Sequence, residues 1–221
     1  MGKNNNFNGQ PIFNQLIKFI DKSEIRKIAK QHDAERYVKK FTTYNHLIVM
    51  LFVALEGYQS IREAILGLLA NAHKLSHIGL SYLIRRSTFS EANKRRNSKV
   101  FEEIYMNVYR KYASILADSR LSDADMKRLY IMDSTTISLF KDILRGVGRN
   151  PKEGKKKGGI KAHTIIKSSD NVPCLIRYSE AVRHDHMFLD EVFKLEVGSI
   201  ITFDKGYVDY ATYEAFTQNR I

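Results

Sequence analysis

The chain has 221 residues, 43% hydrophobic and 27% charged, a balance that fits a folded globular protein and excludes a disordered one. Its longest apolar run, residues 47–55, is too short to span a bilayer; no apolar signal core follows the opening Met-Gly-Lys-Asn-Asn-Asn; and the lone Cys174 excludes an internal disulfide or a cysteine zinc site, so a cytoplasmic protein with no membrane partner is expected. The net charge of +12 is uneven, with 22 Lys and Arg against 12 acids in residues 1–130 and 14 against 12 in residues 131–221, which points to polyanion binding in the first part and chemistry in the second.

The first 130 residues contain no proline after Pro11. Ile12, Phe13, Leu16, Ile17 and Ile20 recur at helical spacing, with Pro11 suited to a first turn. Thr42 and Thr43 are placed to cap a helix through His46 to Leu55, ended by Gly57. Ser60 with Glu63 forms a capping-box pattern before Ala64, Ile65, Leu68 and Leu69. A long helix from about Ser90 to Ala117 is expected from the face Val100, Phe101, Ile104, Val108, Tyr112 and Ile115. Residues 1–125 therefore read as an all-α region, with a helix-turn-helix-like arrangement around residues 60–117. Within it, the stretch 87–96 follows Arg85-Arg86 and is expected to open a helix whose first turns present Asn93, Lys94, Arg95 and Arg96. Arg suits guanine acceptors, Asn suits adenine and Lys suits phosphates, as in a recognition helix. The plainer reading of these residues is a solvated basic face.

From Leu129 the texture becomes β-branched and apolar. Strands are expected at 129–139, 160–167, 172–178 and 200–204, with short helices at 187–193 and from Tyr210 to Gln218. Three strands, a helix, a strand and a helix describe the opening of a mixed α/β sheet. The segment 145–159 between the first two strands holds five glycines and six basic residues. It lacks the P-loop pattern, but Lys155, Lys156 and Lys157 are suited to steering a DNA backbone. His163 alternates with Lys161 on the second strand and is placed to approach a site from the sheet. His184-Asp-His186 reads as surface or capping histidines, since neighbours on an extended segment face opposite ways.

The aspartates carry the chemistry. Asp133 is centred in Tyr-Ile-Met-Asp-Ser, where an unpaired buried charge would be costly, and Asp204 ends Ile-Ile-Thr-Phe-Asp. If the first and fourth strands are neighbours, the two carboxylates converge on one side. Paired carboxylates suit hard divalent cations, and two such ions clamp both oxygens of a phosphodiester displacement.

Tyr130-Ile-Met-Asp-Ser-Thr135, Gly159-Ile-Lys-Ala-His-Thr164 and Phe203-Asp-Lys-Gly-Tyr-Val208 resemble bacterial insertion-sequence transposases of the Asp-Asp-Glu type, in the branch with a Tyr-Arg-Glu-Lys signature. The stretch 87–95 is similar to the segment preceding the catalytic domain in one group of that branch. The resemblance implies an RNase H-like fold over residues 126–221, two Mg²⁺ or Mn²⁺ ions, Asp133 and Asp204 as the first two acids, and Lys205 as the basic residue after the second. It also implies double-stranded DNA of the element's terminal inverted repeats as partner, to which a homodimer would be suited.

The family's Tyr-x2-Arg-x3-Glu-x6-Lys segment has no match here, 17 residues follow Asp204, and Glu214 lies too close to it for the third role. The expectation is an N-terminal portion of a transposase, with an incomplete catalytic domain that does not cut DNA alone. Should it cut, Glu180 and Glu191 are the first acids to examine. The alternatives are a truncated DNA-binding protein that occupies element ends and regulates transposition, and a cellular nuclease on the same fold.

Overall fold

A computed structural model describes residues 12–116, 128–138, 159–181 and 183–221. The chain divides into two compact units, Met1–Val108 and Tyr109–Ile221. The architecture is mixed, a helical region followed by a sheet. No helix among the described residues is long and apolar enough to cross a membrane.

The first unit contains α1 (Ile12–Ile17), α2 (Lys22–Gln31), α3 (Thr43–Glu56), α4 (Ile61–Ala70), a 3₁₀ segment (Ala72–Ile78), α5 (Arg86–Arg95) and the start of α6 (Ser98–Leu116). Side-chain caps set several boundaries. Thr42 accepts from the Asn45 amide to start α3, and Gly57, left-handed at φ 72°, ends it. Ser60 accepts from the Glu63 amide at 3.1 Å, while Glu63 reaches back to the Gln59 amide rather than to the cap's own. Behind these helices Ile25, Ile48, Val49, Phe52, Leu68, Phe89 and Val100 are buried in one core.

The single helix expected over 90–117 is two helices. Arg96 between them is extended at φ −75°, ψ 129°, and Asn97 accepts from the Lys99 amide to begin the second. The break turns the Arg96 side chain inward, 6% exposed. There its guanidinium donates to the Phe41 carbonyl and meets His46 Nδ1 at 3.2 Å. A buried cation needs such partners, and periodicity alone could not reveal them, because apolar residues continue on both sides of the break.

The second unit is a four-stranded sheet in the order β3-β2-β1-β4. Its strands are β1 (Leu129–Ser138), β2 (Gly159–Lys167), β3 (Val172–Glu180) and β4 (Ile200–Thr202). β2 pairs antiparallel with both β1 and β3, and β4 runs parallel to β1. Asn171, at φ 54°, makes the left-handed turn between β2 and β3. The helix expected at 187–193 is a 3₁₀ segment, Asp185–Lys194, and α7 spans Tyr210–Gln218 behind an Asp209 cap.

Alternation gives the sheet two unlike faces. Tyr130, Met132 and Ile165 pack beneath it with Phe188, Leu189, Val192 and Phe216. Ile131, Ile137, Tyr178 and Ile200 on the other face are exposed. Lys155, Lys156 and Lys157, with most of their loop, lie outside the described residues, as does Pro11.

Candidate functional site

The parallel pairing of β1 with β4 brings the two aspartates into one region. The register matches Leu129 with Ile200 and Ile131 with Thr202; Asp133 lies two residues further along β1, and Asp204 lies two residues beyond the end of β4. Asp133 is exposed on the open face of the sheet, and its Oδ1 accepts from the Ser134 amide at 2.7 Å. Asp204, also exposed, caps the 3₁₀ turn Lys205–Tyr207, its Oδ1 accepting from the Gly206 amide at 2.9 Å. Lys205 is exposed beside it.

A third carboxylate stands close by. A methyl group on Gly206 would lie 3.0 Å from Asp204 Oδ1 and 3.6 Å from Asp185 Oδ2. Asp185 is held from the covered face of the sheet, where its Oδ1 accepts from Ser134 Oγ at 3.1 Å and from Lys161 Nζ at 3.0 Å. His163 Nδ1 lies 3.8 Å from the same oxygen and has no hydrogen-bond partner. Burial lowers the pKa of His163, against the pull of Asp185. Burial also pushes the Tyr207 hydroxyl up to about 12, and Asp185, Asp133 and Asp204 all add to that rise. Asp185 carries no sequence signal of its own. Lys161 and His163 do, since their two-residue spacing already puts both on one strand face.

The donor set of Asp133 and Asp204 fits a hard divalent cation: one offers carboxylate oxygens from within β1, the other from just past the end of its parallel neighbour β4. Among the described residues, no group of three or more His, Cys, Asp or Glu is arranged to hold a metal ion. His184 and His186 stack ring on ring, 5.6 Å apart.

The basic residues of the first unit separate into two kinds. Arg85 and Arg86 are exposed at the start of α5. Asn93, Lys94 and Arg95 are exposed in its last turns, not in first turns as the sequence led one to expect, and Asn93 Oδ1 meets His46 Nε2 at 2.6 Å. Arg96 departs further from the expectation, because its guanidinium is held by Phe41 and His46 and the residue, 6% exposed, only borders the surface. Instead, Lys39 and Lys40, which carry no motif in the sequence, line a groove of about 840 Å³ together with Arg85, Arg95 and Tyr37. Tyr37 is 83% exposed there.

Comparison with known families gives two matches. Residues 8–81 match a domain of unknown function (DUF4372), and residues 124–221 match a transposase DDE domain. No curated protein and no solved structure matches the chain. The second match covers the segment that carries Asp133, Asp185 and Asp204. By family resemblance residues 124–221 are a transposase DDE domain, and the two matches together support an insertion-sequence transposase of the Asp-Asp-Glu type.

Proposed function

We propose that this transposase works on double-stranded DNA at its element's terminal inverted repeats, with Asp133 and Asp204 holding Mg²⁺ or Mn²⁺ on an RNase H-like sheet. The observation that carries this reading is the parallel β1–β4 register, which sets both aspartates two residues beyond paired positions. When bound, such an ion stabilises the charge that develops on phosphodiester oxygens. Asp133 and Asp204 orient the site through carboxylates pinned by the amides of Ser134 and Gly206. Lys205, exposed next to Asp204, is suited to a DNA phosphate.

DNA is held, in this reading, by the helical unit. The groove offers Lys39, Lys40, Arg85 and Arg95, with the largely buried Arg96 in its wall, against one acid, Glu91, and such a surface draws a polyanion by charge. Arg86, Lys94 and Asn93 stand exposed on the same helix, and Lys155, Lys156 and Lys157 remain candidates for a second contact. A second reading, a protein that occupies element ends without cutting them, is favoured by one observation: no third acid joins Asp133 and Asp204 in a metal-ready cluster among the described residues.

Calorimetric titration with Mn²⁺ tests the metal assignment. Binding should be weak, because two carboxylates leave most of the coordination shell to water, and it should disappear in both Asp133→Ala and Asp204→Ala. Unchanged binding in both variants would put the ion elsewhere.

A further inference from the structure

Beneath the two aspartates lies an ion pair that the proposed metal site does not use. Lys161 Nζ donates to Asp185 Oδ1 at 3.0 Å and to the Arg183 carbonyl at 3.1 Å. Both side chains are largely buried, 14% and 23% exposed. Asp185 touches the site at two points. Its Oδ1 takes the hydroxyl of Ser134, the residue after Asp133, and its Oδ2 borders Gly206, whose amide pins Asp204. Three carboxylates in one neighbourhood repel one another, and Lys161 supplies the positive charge that offsets them.

We propose that Lys161 and Asp185 are positioning residues that set the charge of the Asp133–Asp204 site, with Asp185 outside the ligand set. The proposal rests on the metal reading given above. Asp185 neutralises Lys161, so that the ammonium does not oppose a cation at Asp133 and Asp204. Lys161 in turn holds Asp185 turned toward Ser134. An ordinary structural pair would fasten the 3₁₀ segment to the sheet and do nothing more, and the two roles differ in sign. If the pair sets charge, removing the acid and removing the base must move metal affinity in opposite directions. If it only fastens, losing either partner loosens the site and weakens binding.

The test is Mn²⁺ titration of the full chain and of Asp185→Asn, Lys161→Met and the double variant, with thermal unfolding measured alongside. Asp185→Asn keeps the shape and leaves an unneutralised ammonium, so affinity should fall by roughly three- to tenfold, while Lys161→Met should raise it by a similar factor. The double variant should return near the parent value. Weakening in both single variants, or no change in either, would overturn the proposal and leave the metal assignment standing. If Asp185→Asn fails to fold, Lys161→Met decides alone: tighter binding supports the proposal, and weaker or unchanged binding sinks it. Parent binding that is absent, or indifferent to Asp133→Ala and Asp204→Ala, removes the metal reading and this inference with it.

Discussion

In the helical unit His46 and Arg96 lie inside the core, 2% and 6% exposed, whereas in the sheet unit Asp133 on β1 and Asp204 just past β4 stand in solvent. The helical unit packs polar groups against one another in its core. Arg96 meets the Phe41 carbonyl and His46, His46 meets Asn93, and Phe41, Phe89 and Phe101 pack around the imidazole. The sheet unit instead leaves carboxylates exposed over a polar cluster, while a buried nitrogen stays unmatched in each unit, Nε of Arg96 and Nδ1 of His163. A buried charged side chain in the first unit is therefore informative about folding, and an exposed carboxylate in the second about chemistry. Burial with partners tells the two apart.

The sharpest way to break this comparison is Arg96→Ala. If Arg96 is a core group, its loss should cost about 3 kcal/mol of stability, since the Phe41 carbonyl is left buried without a partner. The salt dependence of DNA binding should not change. A stable variant with a flatter salt slope would return Arg96 to the DNA surface.

His46 gives the next effect. Burial pulls its pKa down from 6.5 to about 4, so the folded state refuses a proton that the unfolded chain accepts. The stabilisation from neutral His46 is complete above pH 6.5 and is lost as pH falls to about 4. The total loss should be about 3 kcal/mol. In His46→Gln, unfolding midpoints should vary less with pH across that window; an identical pH dependence would remove His46 as its source.

The groove is tested by Lys39→Ala, Lys40→Ala and Arg85→Ala together. Each DNA phosphate that the variant no longer neutralises should reduce the salt slope by about 0.9, with stability changed by less than about 0.5 kcal/mol because all three residues are exposed. An unaltered slope would shift the DNA surface to Lys94 and Arg95 or to Lys155, Lys156 and Lys157.

Much of the sheet unit was legible in the sequence, because its strands carry the signal themselves. β-branched runs bounded by Ser-Ser-Asp-Asn and glycine marked β1 to β3, whereas the fourth strand, expected to run to Asp204, stops at Thr202. The helix starts at Thr42 and Ser60 were legible for the same reason, since a cap is a local hydrogen bond. Long-range pairing was not. The break at Arg96 depends on Phe41 and His46, about fifty residues away in the chain, and Asp185 acquires a role only when Ser134, Lys161 and Gly206 meet it. Lys39 and Lys40 gain theirs only because α5 lies across the groove from them.

The smallest change tests how finely the second aspartate is held. A methyl in Gly206→Ala would stand 3.0 Å from Asp204 Oδ1, and a carboxylate can swing aside at little cost. Stability should fall by less than about 1 kcal/mol, while Mn²⁺ affinity drops. Unaltered affinity would mean that Asp204 need not keep this position.

The central claim is that Asp133 and Asp204 form one divalent-ion site, and iron-directed cleavage of the chain tests it most directly. Fe²⁺ occupies oxygen-ligand sites in place of Mg²⁺ and, with ascorbate and peroxide, generates radicals that cut the backbone nearby. The account predicts paired cuts beside residues 133 and 204, suppressed by excess Mg²⁺ and lost in either Asp→Ala variant. Cuts that map elsewhere, or that persist unchanged in both variants, would contradict it.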